Sequence, residues 1–241
     1  MNNIHLRWLI AIILLLIFIA VTAAFALPSL LRPNDADAPA PRVQVIIDPG
    51  HGGEDGGAVG ADGTTEKDLN LSISLMLRDM LVSSGVNVIM TRTEDVLLYD
   101  RNVDYHGRKK VLDLQARLDI CRANPDALFV SIHMNAFPQK KYDGLQVYYP
   151  AADEASAVLA RDIQDSVRAA LQPENLRRAK ATGSNIFLLD KTPGRAVLVE
   201  CGFLSNTAEC SRLCNTAYQR QLALVLYGSI MKYLSDGLES P

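Results

Sequence analysis

Residues 43–53 read VQVIIDPGHGG, a short apolar run that passes directly into a glycine-rich loop. Residues 43–48 are rich in β-branched side chains, which predicts a buried strand. Residues 66–84 then carry apolar side chains at helical spacing, with Thr65 as a natural N-cap and Gly85 as a natural stop. A strand, a glycine loop and a helix in this order predict the first unit of an α/β fold.

The same alternation of strand and helix patterns continues along the chain. Further strands are predicted at residues 86–91, 127–133, 145–149, 185–189 and 196–200, and further helices at residues 113–123, 153–171, 208–214 and 217–234. Strands that alternate with helices form largely parallel sheets, because each helix returns the chain to the same end of the sheet. The sequence therefore predicts a single, mostly parallel, twisted sheet flanked by helices. A ligand site is expected at the carboxyl ends of its strands.

The N-terminal segment has the composition of a membrane-spanning helix. Residues 8–27 contain no charged side chain and follow Arg7, and about 20 apolar residues cross the ~30 Å hydrocarbon core of a bilayer. The basic flank favours a cytoplasmic N-terminus and export of the rest of the chain. Residues 24–26 (AFA) also have the form of a signal-peptidase site, although the apolar run is long for a cleaved signal. We expect residues 1–27 to anchor the chain, or to release it if cleavage follows Ala26.

The remaining composition separates a linker from a globular domain. Residues 28–42 are rich in Pro, Ala and Asp without apolar periodicity, so they are predicted to be a linker before a folded domain at residues 43–236. This domain is expected on the outer side of the cytoplasmic membrane. The whole chain has 24 basic and 27 acidic residues and a net charge of -3, which argues against nucleic-acid binding. The four cysteines match no zinc-ribbon spacing and are expected to be buried free thiols.

Four chemically active side chains share one placement in the predicted fold. His51 follows the first strand, His133 and Glu200 end two other strands, and Glu66 opens the first helix after the glycine loop. At the carboxyl ends of a parallel sheet they would converge on one crevice. Two histidines and one glutamate form a known catalytic zinc set, and a further carboxylate nearby can take a proton from water. The placement therefore favours a zinc hydrolase site.

Each of these residues also has an ordinary explanation when it is taken alone. His51 in a glycine loop suits a surface histidine, and His133 suits a hydrogen-bonded residue at a strand end. Glu66 is explained by the dipole at a helix start. Glu200 after four apolar residues is less usual, because a buried carboxylate is costly unless it is paired or used. The glycine loop could also bind phosphate, but it lacks the lysine of a P-loop and carries two acidic residues.

Six ordered segments resemble the motifs of the zinc-dependent N-acetylmuramoyl-L-alanine amidases, which are catalytic domains of bacterial cell-wall hydrolases. The segments are residues 48–53 (DPGHGG), 66–71 (EKDLNL), 91–93 (TRT), 114–117 (LQAR), 131–136 (SIHMNA) and 200–206 (ECGFLSN). The resemblance implies Zn²⁺ ligands at His51, Glu66 and His133, and a catalytic acid/base at Glu200. It implies cleavage of the peptidoglycan amide between the lactyl group of N-acetylmuramic acid and the L-alanine of the stem peptide. Asn135 and Arg117, inside two of the motifs, are the predicted substrate-binding residues.

Two segments narrow this resemblance within the family. Residues 109–117 (KKVLDLQAR) and 138–148 (PQKKYDGLQVY) are most similar to the germination-specific spore-cortex amidases, which strip stem peptides so that muramic δ-lactam can form. Some relatives of this kind act with a lipoprotein partner, so a lipoprotein activator is expected here. Two other functions stay open from the residues alone: another cell-wall zinc hydrolase, such as a peptidase or deacetylase, and a non-catalytic, metal-dependent peptidoglycan-binding protein.

Overall fold

The computed structural model describes Trp8, residues 12–18, Ala20, Thr22, residues 44–100, Asn102 and residues 106–238. The chain divides into two units, Met1–Pro41 and Arg42–Pro241. Most of the predicted membrane segment and all of the predicted linker lie outside the described residues. Within the described part of the chain, no helix is both long enough and apolar enough to cross a membrane.

Six strands form one sheet in the second unit, and its order is β2-β1-β3-β6-β4-β5. The strands are β1 Val45–Pro49, β2 Val88–Met90, β3 Leu128–Asn135, β4 Gln146–Pro150, β5 Lys180–Thr182 and β6 Ala196–Phe203. All neighbouring pairs run parallel except β4 and β6, which are antiparallel. The predicted α/β class with a mostly parallel sheet is therefore confirmed.

Six helices in the described residues of the same unit flank this sheet. They are α1 Glu66–Ser83, α2 Lys109–Ala123, α3 Glu154–Ala170, α4 Phe187–Lys191, α5 Thr207–Leu213 and α6 Thr216–Leu238. Alternate residues of β1 serve the two faces of the sheet: Val45 and Ile47 join one buried apolar cluster, and Ile46 joins the other. Because both faces are covered, the central strands β1, β3 and β6 are largely buried and apolar until their carboxyl ends, as the sequence pattern indicated.

Two elements differ from the sequence prediction. Residues 185–189 were predicted as a strand, but Phe187–Lys191 form the short helix α4. Leu188 and Leu189 are both buried there, and a short apolar run of this kind fits a buried helix as well as a strand. The edge strand Lys180–Thr182 was not predicted, because its residues are mostly exposed and show no apolar alternation.

The strand order brings the chemically active residues to one end of the sheet. β1 lies beside β3, and β3 lies beside β6, with His133 and Glu200 directly opposite each other across that pair. The register shifts between His133 and Asn135, so the end of β3 is irregular. The loop with His51 leaves β1 at the same end and is tied to β3 by a hydrogen bond from Gly50 N to Ile132 O at 3.0 Å.

Candidate metal centre and active site

The loop after β1 has a backbone that places His51 at the end of the sheet. His51 has a φ of 61°, in the left-handed region, and the next two glycines also have positive φ. Gly52 and Asp55 exchange backbone hydrogen bonds of 2.9 and 3.0 Å, which close the loop. Left-handed backbone is costly for residues other than glycine, so this tight loop is held in place by its surroundings.

His51, Glu66 and His133 meet as the sequence predicted. Their ligand atoms all lie within 4.8 Å of one another. Glu66 Oε1 lies 3.2 Å from Nε2 of His51 and 2.9 Å from Nδ1 of His133. The two imidazole rings are edge to face, with centroids 5.1 Å apart. One carboxylate oxygen thus lies between two imidazole nitrogens, a donor set that zinc prefers.

Two glycines make room for this group. A Cβ at Gly50 would lie 2.2 Å from the His133 ring, and a Cβ at Gly57 would lie 2.4 Å from Glu66 Oε2 and 2.8 Å from the His51 ring. Either methyl group would push a ring or the carboxylate out of place. The chain therefore forms a cradle for two imidazoles and a carboxylate, and the residues present fit a zinc ion.

Neighbouring groups hold the same side chains in orientation. His51 Nδ1 lies 2.9 Å from Asp55 Oδ2. Glu66 Oε2 accepts a hydrogen bond from Ala58 N at 2.8 Å, and Glu66 Oε1 accepts one from Met134 N at 3.0 Å. A carboxylate behind a ligand histidine and hydrogen bonds to a ligand carboxylate are typical of metal sites. Asp55 had no predicted role, because an acidic residue in a loop gives no signal until the fold brings it to the imidazole.

The charges of this group stabilise the ionised carboxylate. Burial alone would raise the pKa of Glu66, but His133 and His51 outweigh it through hydrogen bonds and charge, and the pKa falls well below its usual range. Burial alone would lower the pKa of the His51 imidazole. Hydrogen bonds to Glu66 and Asp55 and the charges of these carboxylates raise it instead. Glu66 is therefore an anion at any physiological pH, as a ligand of a divalent cation must be.

Glu200 has a different environment, although it lies opposite His133 across the β3–β6 pair. Its Oε2 atom is buried and has no hydrogen-bond partner. Burial raises the pKa of this carboxyl to about 7, the charge of Glu66 adds to the rise, and the two histidines oppose it. A carboxyl with a pKa near neutrality is suited to take up and release a proton at physiological pH.

Arg117 does not have the predicted substrate-binding position. Its side chain is 2% exposed and is bound by protein groups. It forms ion pairs with Asp48 at 2.6 Å and Asp113 at 2.8 Å, and donates to the carbonyls of Pro49 at 2.9 Å and His51 at 2.8 Å. The prediction of substrate contact is therefore wrong for Arg117, because the guanidinium lies behind the His51 loop and has no free surface. It positions that loop instead.

Arg92 is a second buried arginine that positions the loop after β1, and no role was predicted for it. Its guanidinium donates to the carbonyls of Pro49 and Gly50, both at 2.9 Å, and of Lys67 at 2.8 Å. It therefore ties the β1 loop to the start of α1. The feature of the sequence that could have pointed to Arg92 is its place in the segment 91–93 (TRT). Asn135 lies at the end of β3, partly exposed, where its carbonyl accepts from Leu204 N at 2.8 Å; its substrate contact stays a prediction.

Comparison with known proteins gives one family. The family model described as N-acetylmuramoyl-L-alanine amidase matches residues 45–232. The germination-specific N-acetylmuramoyl-L-alanine amidase of Bacillus subtilis is 36% identical over 197 residues, which cover 82% of each chain. The CwlD amidase of Clostridioides difficile, solved in complex with the GerS lipoprotein, is 41% identical with a TM-score of 0.76, and the match covers 81% of this chain and 100% of that one. AmiC2 of Nostoc punctiforme is 29% identical with a TM-score of 0.68, and the match covers 82% and 99%.

Proposed function

Since the chain belongs to the N-acetylmuramoyl-L-alanine amidase family, we propose that it is a zinc enzyme whose metal is held by His51, Glu66 and His133. It is a peptidoglycan amidase: its reaction is hydrolysis of the amide between the lactyl group of N-acetylmuramic acid and the L-alanine of the stem peptide. Zinc dependence and the roles of individual residues are the parts that we propose.

One observation carries this proposal. Two imidazoles and an anionic carboxylate have their ligand atoms within 4.8 Å of one another. Glu200 lies beside them on the neighbouring strand; its Oε2 atom has no hydrogen-bond partner, and its carboxyl has a pKa of about 7. The first three groups match the two histidines and one glutamate of a catalytic zinc site. The fourth matches the separate acid/base that such hydrolases use.

The chemistry follows from the properties of these groups. A zinc ion held by this set supplies Lewis acidity, which favours ionisation of water and stabilises negative charge on an amide oxygen. Ionised Glu200 accepts a proton from the attacking water, and the resulting carboxylic acid donates that proton to the departing L-alanine nitrogen. A pKa near 7 serves both steps, since the same group must first be a base and then an acid.

Purified peptidoglycan tests the reaction and the metal together. The expected products are stem peptides with a free L-alanine amino terminus, identified by mass spectrometry and N-terminal labelling. Elemental analysis is expected to show that His133→Ala binds one zinc per chain less than the wild-type protein, and this variant is expected to lose activity. Released acetate or internal peptides would point to a deacetylase or peptidase instead. An active His133→Ala protein with unchanged zinc content would contradict the ligand assignment.

We further propose a role in the spore cortex, supported by similarity to the germination-specific amidase of Bacillus subtilis. In that role the enzyme removes stem peptides before muramic δ-lactam forms. The test is to express this chain in a Bacillus subtilis strain without its germination-specific amidase and to measure muramic δ-lactam in the cortex. Restored δ-lactam with the wild-type chain, but not with Glu200→Gln, is expected. A chain that cleaves purified peptidoglycan but restores no δ-lactam would exclude the cortex role alone.

A lipoprotein partner and an extracytoplasmic location complete the proposal. The partner is supported by the relative from Clostridioides difficile, which was solved with the GerS lipoprotein. The location is supported by the uncharged residues 8–27 behind Arg7. Fractionation of cells is expected to recover the chain with the membrane, accessible to protease from outside. An intact protein in the cytoplasmic fraction would exclude export, and a mature form that begins at Leu27 would show secretion after cleavage.

A further inference from the structure

A second group of metal-ligating side chains lies outside the set of His51, Glu66 and His133. Oδ1 of Asp62 and the sulfur atoms of Cys210 and Cys214 lie within 4.8 Å of one another. Cys210 and Cys214 form no disulfide bond; Cys210 is buried, but Cys214 is exposed, contrary to the expectation of a buried thiol. None of the three residues has a role in the mechanism above. We propose that Asp62, Cys210 and Cys214 form a second metal site, which binds a thiophilic divalent cation such as Zn²⁺.

The local fold brings these groups together. Cys210 lies in α5 and Cys214 directly follows that helix in a helical conformation, so the spacing of four residues places both side chains on one face. Asp62 comes from the turn at residues 60–64, which is closed by hydrogen bonds from Gly60 N to Thr64 O at 2.8 Å and from Gly63 N to Gly60 O at 3.0 Å. The turn therefore faces the two thiols with one carboxylate.

The contacts between the turn and α5 are close and specific. A Cβ at Gly60 would lie 2.7 Å from Cys210 Sγ and 2.8 Å from Asp62 Oδ1, so only glycine lets the turn approach the thiol. Asp62 Oδ1 accepts a hydrogen bond from Thr64 N at 3.0 Å, which orients the carboxylate. Thr64 Oγ1 lies 3.3 Å from Cys214 Sγ. The turn thus offers an oriented oxygen to a pair of sulfur atoms.

The donor set and its dimensions suit zinc. Two sulfur ligands at about 2.3 Å and an oxygen at about 2.1 Å around a tetrahedral zinc ion stand roughly 3.5–3.8 Å apart, and Cys210 Sγ lies 3.6 Å from Asp62 Oδ1. Thiolate ligands select soft or borderline cations over Mg²⁺ and Ca²⁺. Water would fill the fourth position, since three protein ligands are present.

Protonation adds a consequence that can be measured. Cysteine binds a metal ion as the thiolate, so a bound cation must displace the thiol proton of Cys210. Metal binding at this site is expected to release protons and to weaken as the pH falls.

The position of the site gives it a structural role. The turn with Asp62 lies in the segment between His51 and Glu66, whereas α5 follows the strand that carries Glu200. A metal ion held by Asp62 and both thiols would cross-link these two segments. This inference does not rest on the proposed function, because none of its three residues belongs to the set of His51, Glu66, His133 and Glu200.

Cobalt substitution tests the site directly. The full-length chain, kept in detergent with its thiols reduced by a phosphine, is titrated with Co²⁺ and followed by near-ultraviolet absorption. Sulfur bound to cobalt gives a charge-transfer band, and His51, Glu66 and His133 offer only nitrogen and oxygen, so metal at that set does not contribute. A saturable band is expected, and excess Zn²⁺ is expected to remove it.

Matched variants assign the band to residues. Cys210→Ala and Cys214→Ala are expected to abolish it, whereas Cys121→Ala, which removes a buried thiol of α2, is expected to keep it. Asp62→Asn alters only a surface turn and keeps both thiols, so it tests the site even if a cysteine variant fails to fold; its Co²⁺ affinity is expected to fall at least roughly tenfold. A reduced wild-type chain without the band, a band that survives loss of both thiols, or an unchanged affinity in Asp62→Asn would overturn the proposal.

Discussion

Replacing Glu200 with glutamine separates the chemical role of its carboxylate from its effect on folding. Glutamine keeps the shape of the side chain but cannot ionise. The carboxyl has a pKa of about 7 instead of an ordinary 4.5, mainly because of burial, and its Oε2 atom has no hydrogen-bond partner. Ionisation of this group, which the proposed mechanism requires, is therefore unfavourable for the fold.

The size and direction of the stability effect follow from the two pKa values. Below pH 4.5 the carboxyl is protonated in both the folded and the unfolded chain, so it costs nothing. Between pH 4.5 and 7 the unfolded chain ionises first, and the free energy of unfolding falls. Above pH 7 the loss reaches about 3 kcal/mol, because one pKa unit corresponds to about 1.4 kcal/mol. Glu200→Gln is expected to recover up to that amount at pH 8 and nothing at pH 4.

Urea unfolding of the chelator-treated protein at both pH values measures this effect. Stem-peptide release by the zinc-loaded protein is expected to fall by at least ~10²-fold, the usual lower bound for loss of a general base, while the zinc content stays equal to that of the wild-type protein. Glu209→Gln is the matched control. Glu209 is also buried, but it accepts from Gly144 N at 2.9 Å and Phe203 N at 2.7 Å, so its amide is expected to destabilise the fold.

Three results would refute this reasoning. Near-normal activity in Glu200→Gln would remove Glu200 from the mechanism, and loss of zinc would make it a ligand. An equal change in stability at pH 4 and pH 8 would show that ionisation of Glu200 does not oppose folding.

Three further predictions concern the same site. Gly50→Ala is expected to lower zinc affinity, measured by competition with a chelator, by about 10–100-fold, because the new methyl group would lie 2.2 Å from the His133 imidazole. In the same assay Gly56→Ala is expected to leave zinc affinity unchanged, because nothing lies within 4 Å of a Cβ at that position. Arg117→Met is expected to lower the free energy of unfolding in urea by about 3–5 kcal/mol, since it leaves buried carboxylates unpaired. The control Arg122→Met removes only an exposed ion pair of α2, so it is expected to change that free energy by about 0.5 kcal/mol or less. The rate of cleavage of soluble peptidoglycan fragments is expected to fall as the pH drops through the pKa of Glu200, because this carboxyl must be ionised to act as a base. That pKa is expected at or below 7, because a bound cation lowers it. A rate that does not change with pH in this range would contradict the role of Glu200 as base.

The elements that carry the site could be predicted because their sequences are constrained on both faces. β1, β3 and β6 lie in the middle of a sheet covered by helices, so their residues form apolar runs that stand out in the sequence. His51, His133 and Glu200 interrupt or follow such runs at the same end of the sheet. Their convergence follows from the rule that ligand sites form at the carboxyl ends of parallel strands.

Side chains that act from behind the site could not be predicted in this way. Asp55 lies in a loop, and its contact with His51 depends on the positive φ of the loop residues. α4 was mistaken for a strand because five residues are too few to show a period. The edge strand β5 is mostly exposed and carries no apolar pattern. In each case the deciding contact is tertiary and leaves no local signal.

Arg117 shows why a residue inside a family motif need not touch substrate. His51 has left-handed backbone, which costs a residue other than glycine roughly 1–2 kcal/mol. The carbonyls of Pro49, Gly50 and His51 all accept hydrogen bonds from the guanidinium groups of Arg92 and Arg117. These hydrogen bonds hold the three loop carbonyls in place against two buried guanidinium groups.

Asp48 and Asp113 balance the charge of Arg117. Asp48 accepts from Arg117, Thr91 and Ser131, and these partners lower its pKa although burial alone would raise it. The loop is therefore held by a network that stays ionised at physiological pH and contains none of the reacting groups. Because the network fixes the backbone, it also positions the His51 ring, which would reduce the ordering that binding of the proposed zinc ion requires.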